Sequence, residues 1–178
     1  RPWGTGFDPL DSYLAGGLRP GELTLLGGPQ GLGKTTFALQ VARHVLGLGH
    51  PVLYVCYEHD AVNLLERLLA AEAGERAGLD AVPLRSVRAL LEGDGSAMSL
   101  TDKLAETPGG AEALASISGD PQPLFPLPGG VHTSIADIAA AAGSIATAGS
   151  GQPLVVVDYV QKVAVPSEEP DEEGRMAR

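Results

Sequence analysis

The sequence has a single cysteine, Cys56, so neither a disulfide framework nor a cysteine-built zinc site is available to it. Cys56 lies inside an apolar run, where a small buried hydrophobe is the expected role. Aromatic residues make up only 4% of the chain, leaving the core to Ala, Leu, Val and Gly. Basic residues are also scarce: 12 Lys and Arg stand against 22 Asp and Glu, a net charge of −10. That balance excludes a broad electrostatic footprint for nucleic acid, though not a narrow basic loop. No apolar run approaches the ~18 residues of a membrane span, and the first residues show no signal-peptide pattern. The expectation is a soluble, cytoplasmic protein with no membrane partner. At 178 residues one domain is the default, and there is no internal repeat.

What the chain does have is Gly28-Pro29-Gln30-Gly31-Leu32-Gly33-Lys34-Thr35, which fits the phosphate-binding pattern G-x-x-x-x-G-K-[ST]. Glu22-Leu23-Thr24-Leu25-Leu26-Gly27 before it reads as a short buried strand. From Lys34 to about Leu48, Phe37, Ala38, Val41, Ala42 and Val45 share one helical face. Strand, glycine loop and helix is the setting the motif needs, because the loop and helix-start N–H groups then point at phosphates. Thr36 continues this nucleotide-binding stretch. Lys34 is expected to reach the β- and γ-phosphates as a point charge, and the Thr35 hydroxyl to ligate Mg²⁺.

The lead-in, residues 1–21, holds a short helix opened by Asp8-Pro9, with Leu10, Tyr13 and Leu14 on one face. Gly16-Gly17 ends it, and Pro20-Gly21 makes a tight turn. Trp3 and Phe7 read as packing residues. After the first long helix, Val52 to Tyr57 is a near-continuous β-prone run, as in a strand covered on both faces. It runs into Glu58-His59-Asp60. Two readings stand for Glu58: it deprotonates a water aimed at the γ-phosphate, or it complements the dipole of the next helix. That helix spans residues 60–77, with Val62, Leu65, Leu68 and Leu69 inward and Glu66, Arg67 and Glu72 outward.

Residues 78–122 read as a helical insertion of variable length, with one helix around Val87, Leu90 and Leu91 and another over Leu100 to Leu104. In residues 123–166, Pro123 to Leu127 reads as an edge strand, since its prolines exclude a central one. Ser134 and Asp137 then start a helix from Ile135 to about Ala148. Pro153-Leu154-Val155-Val156-Val157-Asp158 is an apolar strand ending in an acid, and Asp158 is the candidate to hold Mg²⁺ opposite Thr35. Residues 167–178 read as an acidic loop and the start of a helix.

Four stretches together resemble the ATPase domain of DnaB-type replicative helicases, members of the RecA-like P-loop ATPases. They are Thr5 to Asp11, Gly16 to Leu23, Gly31 to Thr36, and Asp158-Tyr159-Val160-Gln161. The resemblance covers both ends of the chain and the middle poorly. It implies an α/β fold, a mostly parallel sheet flanked by helices, and a chain truncated after the Asp158 (Walker B) strand. It also implies ATP and Mg²⁺ as cofactors, Glu58 as the water-activating acid with Lys34 as its catalytic partner, and Gln161 as a residue coupling ATP to DNA. Single-stranded DNA and a homo-oligomeric ring, a hexamer with ATP between subunits, are the implied partners. Pro29-Gln30 stands where the family usually has Arg-Pro, and Tyr57-Glu58-His59 where it has Leu-Glu-Met. The family's sensor strand, DNA loops and arginine finger would lie beyond Arg178, so a fragment is expected. Its phosphate-loop strand and Asp158 strand would then lack the strand that should join them. Two other readings remain beside an ATP-driven DNA motor: a RecA-, RadA- or KaiC-like regulatory or recombination ATPase, and a non-catalytic nucleotide-binding module.

Overall fold

The computed structural model describes residues 1–92, 99–119 and 124–164. Helix α1 (Asp8–Tyr13) opens with Pro9 in its first turn, and helix α2 (Lys34–Gly47) follows the glycine loop. Strand β1 (Val52–Cys56), helix α3 (Ala61–Ala77), and helices α4 (Leu84–Glu92), α5 (Leu100–Ala105) and α6 (Gly110–Gly119) come next. Strand β2 (Leu124–Pro128), helix α7 (Ile135–Ile145) and strand β3 (Leu154–Asp158) complete the described part.

The sheet has three strands in the order β2-β1-β3, every pairing parallel. Every residue of β1 is buried, the cause of its unbroken apolar run. Alternation splits its side chains between two layers. Val52, Tyr54 and Cys56 pack against α2 and α3 through Leu39, Val45, Leu64 and Leu68. Leu53 and Val55 pack against α7 through Ile138 and Ile145. Each such burial contributes about 2 kcal/mol. β2, with Pro126 and Pro128, lies at an edge, as its composition requires. α7 carries a capping box: Ser134 Oγ accepts from Asp137 N, and Asp137 accepts from Ser134 N at 2.8 Å. The helix ends at Ile145, short of Ala148, where the next residues form a wider turn.

Several expectations need correction. Glu22–Gly27 forms no strand: among the described residues 23–27 make no backbone hydrogen bond, and Leu23 and Leu25 are 92% and 77% exposed. A strand exists through its ladder, and no described strand lies alongside this segment to pair with it. Tyr13 is 90% exposed and does not share the packed face of α1. On α3, Val62 is half-exposed, whereas Glu66 and Glu72, expected outward, are buried. The reason is that α3 is covered on a second side. Leu69 and Ala73 form a satellite core with Val82, Val87, Leu104 and Ala113 from the 78–119 helices. The expected helices around Val87 and Leu100 are α4 and α5, but α6 sits among glycines that read as breakers. Residues 93–98, 120–123 and 165–178, and with them the expected acidic loop at 167–178, lie outside the described residues.

The lead-in is fastened to α2. Trp3 and Leu18 exchange backbone hydrogen bonds at 2.7 Å, Trp3 stacks on His50 at 4.3 Å, and Phe7 stacks on Phe37 at 4.9 Å. The packing role read for Trp3 and Phe7 is therefore correct. Buried Thr5 donates to Asp11 Oδ1 from its N–H at 2.8 Å and its hydroxyl at 2.7 Å.

Candidate active site

Gly31 and Gly33 have φ of 83° and 84°, the left-handed conformation L side chains avoid, and Gly33 is the N-cap of α2. A Cβ on either would meet nothing within 4 Å, so backbone angle rather than crowding demands glycine here. The first N–H groups of α2 have no intrahelical partner and carry the positive end of the helix dipole. No acidic side chain in its first turn offsets that charge. Lys34 Nζ donates to Gly28 O and Pro29 O, each at 2.9 Å, holding the ammonium inside the loop it follows. Gly28 to Gly33 are exposed, and Thr35 is half-buried at the helix start. This is an open anion cradle of backbone donors with one cation at its rim.

The two acids leave the sheet at one edge. Cys56 pairs with Asp158 across β1 and β3, and Glu58 is exposed just past the end of β1. Tyr57 N donates to Asp158 O at 2.9 Å, fixing that end of β3 beside the turn that carries Glu58. The carboxyl edge of a parallel sheet is where such folds take ligands. Asp60, not Glu58, caps α3, accepting from Asn63 N at 2.8 Å. No described hydrogen bond or ion pair engages the Glu58 carboxylate, and none joins Lys34 or Thr35 to Glu58 or Asp158. Gln161 is exposed in a short 3-10 turn, Val160–Lys162.

One residue at this edge was not singled out from the sequence. Tyr54, fully buried on β1, donates its hydroxyl to Asp158 Oδ2 at 3.2 Å. Burial pushes the phenol's pKa up, the Asp158 charge and hydrogen bond push it further, and Arg67 opposes them. Asp158 and Thr35 offer only oxygen donors, the chemistry that suits Mg²⁺. Among the described residues no cluster of three or more His, Cys, Asp or Glu could hold a metal. That donor set fits an ion that keeps its waters and takes its remaining ligands from phosphates, rather than one held in an all-protein cage.

Behind the loop, α2 is bolted to α3. Arg43 donates to Glu72 Oε1 at 2.6 Å and pairs with Glu75, and Arg76 pairs with Glu72. The bond to Glu75 leads in raising the Arg43 pKa, against burial and with Glu72 adding to it. Burial alone would raise the Glu72 carboxyl, yet hydrogen bonds from Arg43 and Arg76 hold it below the ordinary range. Glu66 is met by Arg88 at 3.0 Å and Asn63 at 3.3 Å.

A solved ATPase domain of a DnaB-like helicase has this fold: the superposition has a TM-score of 0.71 at 18% identity, covering 96% of this chain and 54% of that one. The chain thus has the RecA-like P-loop ATPase architecture implied by its resemblance to DnaB-type ATPase domains. By sequence it is similar to DNA repair protein RadA of Mycobacterium tuberculosis, 48% identical over 74 residues, or 42% of this chain and 15% of the relative. RadA of Aquifex aeolicus is 41% identical over 63 residues, 35% of this chain and 14% of that protein. The matched stretches are thus a small part of these relatives. Residues 4–178 match the AAA domain family throughout. The chain belongs to the AAA domain family.

Proposed function

We propose that this chain binds and hydrolyses ATP as the motor core of an ATPase that works on single-stranded DNA. The observation that carries the reading is the convergence at one sheet edge: an uncapped, positively polarised helix start with Lys34, and two acids on neighbouring parallel strands. The loop N–H groups from Gly31 to Thr36 and the Lys34 ammonium bind and orient the phosphates. Thr35 and Asp158 hold Mg²⁺, which when bound neutralises charge on the β- and γ-phosphate oxygens. Glu58, exposed and free of structural bonds, takes the proton of the attacking water. The remaining charge is met by an arginine from a neighbouring copy in a homo-oligomeric ring, and Gln161, beyond Asp158, relays the nucleotide state towards DNA. The setting is cytoplasmic.

A second reading is favoured by a specific observation, the identity to DNA repair protein RadA over 74 residues. In it the same hydrolytic core drives assembly on DNA in repair or recombination rather than strand separation. ATP turnover by the full chain with and without single-stranded DNA, followed by a strand-separation assay, decides between them. DNA-stimulated turnover with unwinding supports the motor, and DNA-stimulated turnover without unwinding supports the repair reading. Nucleotide binding without turnover under both conditions would leave a binding module and overturn both.

A further inference from the structure

Tyr54 is a demanding choice for its position. Its ring fills the layer between β1 and α2/α3, where Phe would pack as well, and its hydroxyl needs a partner once buried. That partner is Asp158. Tyr54 and Cys56 point to the same face of β1, and Asp158 stands beside Cys56 in register, so the phenol reaches the carboxylate diagonally across two strands. The terminal torsion of an aspartate is broad, and a donor on one oxygen fixes it. No other described side-chain hydrogen bond engages Asp158, which leaves Oδ1 turned away from the phenol.

We propose that Tyr54 is a positioning residue for the metal-holding carboxylate: its hydroxyl, 3.2 Å from Asp158 Oδ2, sets which oxygen of Asp158 is presented to Mg²⁺ and its water shell. This rests on the reading of Asp158 given above. Donors one step behind a metal ligand orient it and tune its affinity. The hydroxyl therefore acts on the affinity for the metal, while the cradle for the phosphates is left alone.

The test is binding of a fluorescent ATP analogue to the full chain, titrated with Mg²⁺, for the parent, Tyr54→Phe, Asp158→Asn and the double variant. Tyr54→Phe is expected to raise the Mg²⁺ midpoint about tenfold. Analogue binding in EDTA stays at the parental level, and the change adds nothing on top of Asp158→Asn. An unmoved or lowered midpoint, or a full additional effect in the Asp158→Asn background, overturns the proposal. If Asp158→Asn alone leaves the midpoint where it was, the reading of Asp158 as metal-holding fails first. Should Tyr54→Phe fold poorly, a fluorinated tyrosine at position 54 keeps the shape and changes the donor strength. A midpoint unmoved by that replacement likewise overturns the proposal.

Discussion

Cys56 and Asp158 face each other in the parallel register of β1 and β3, so Glu58, just past Cys56, leaves the sheet beside the end of the Asp158 strand. Two acids with different jobs are thereby set at one edge, one bonded to Tyr54 and the other without a partner among the described bonds. Glu58→Gln keeps size and hydrogen bonding but removes the base. ATP turnover should fall about 100-fold while binding of a fluorescent ATP analogue is unchanged. Turnover at the parental rate would show that the water is activated elsewhere.

Lys34 is held by the carbonyls of Gly28 and Pro29, which places its charge within the loop before any phosphate arrives. Lys34→Ala should cost about 100-fold or more in turnover. Because no described core residue leans on it, the melting temperature should stay within about a degree or two of the parent, as for a neutral surface change. Differential scanning fluorimetry beside the turnover assay checks both halves.

Glycines of two kinds should separate on substitution. At Gly17, φ is 113° and a Cβ would lie 2.0 Å from Trp3 O, in the bridge that fastens the lead-in. Gly17→Ala is expected to cost about 3 kcal/mol or more, from strain and a backbone clash together. Gly33→Ala meets no atom, and its cost is that of its φ alone, about 1 to 2 kcal/mol. Its larger effect should be on nucleotide affinity. Urea midpoints and analogue titrations report the two quantities separately.

The α2–α3 bolt makes stability depend on acid. Glu72 and Glu75 are held below the ordinary carboxylate value of 4.5, Glu75 chiefly through its bond from Arg43. Asp11, although burial opposes it, is held below 3.8 by the Thr5 N–H and hydroxyl. Groups with depressed native pKa values contribute stability that is complete above their unfolded values and lost as pH falls through the native ones. The melting temperature should therefore be flat near neutrality and fall below pH of about 4.5. A melting temperature that rises on acidification would contradict the sign.

Arg43→Leu removes the cation shared by Glu72 and Glu75 while Arg76 still serves Glu72. It should cost about 2 kcal/mol. It should also flatten the acid limb just described, a coupling that a neutral packing defect would not produce. Urea unfolding at pH of about 7 and about 4, on either side of that limb, measures it.

Much of this fold is written in the sequence where one cause acts alone. β1 and β3 are apolar runs buried between layers, and α7 announces itself through Ser134 and Asp137. Glu22–Gly27 has the same apolar letters as β1, yet a strand needs a neighbour, and periodicity says nothing of neighbours. Glu66 and Glu72 were misplaced because helical periodicity assumes one packed face, whereas α3 has two. Their cations, Arg88 and Arg43, come from other helices. α6 was hidden because glycines stand at both of its ends, and tertiary packing of Ala113 overrode their propensity. In the site, the loop is legible because its glycines and lysine are adjacent in sequence. Tyr54 is not, since its bond to Asp158 spans 104 residues and depends on register alone.

The edge strand β2 carries one more consequence. Gly129 N donates to Cys56 O at 2.8 Å, so Leu127 and Phe125, of the same parity, also turn their N–H groups towards β1. Pro126 and Pro128 fall on the opposite parity, where the outward donors would be, and proline has none. An incoming strand would find acceptors there but almost no donors. The sheet therefore has a sealed border at β2 and a receptive one at β3, and any growth by strand addition is confined to the side on which Asp158 lies.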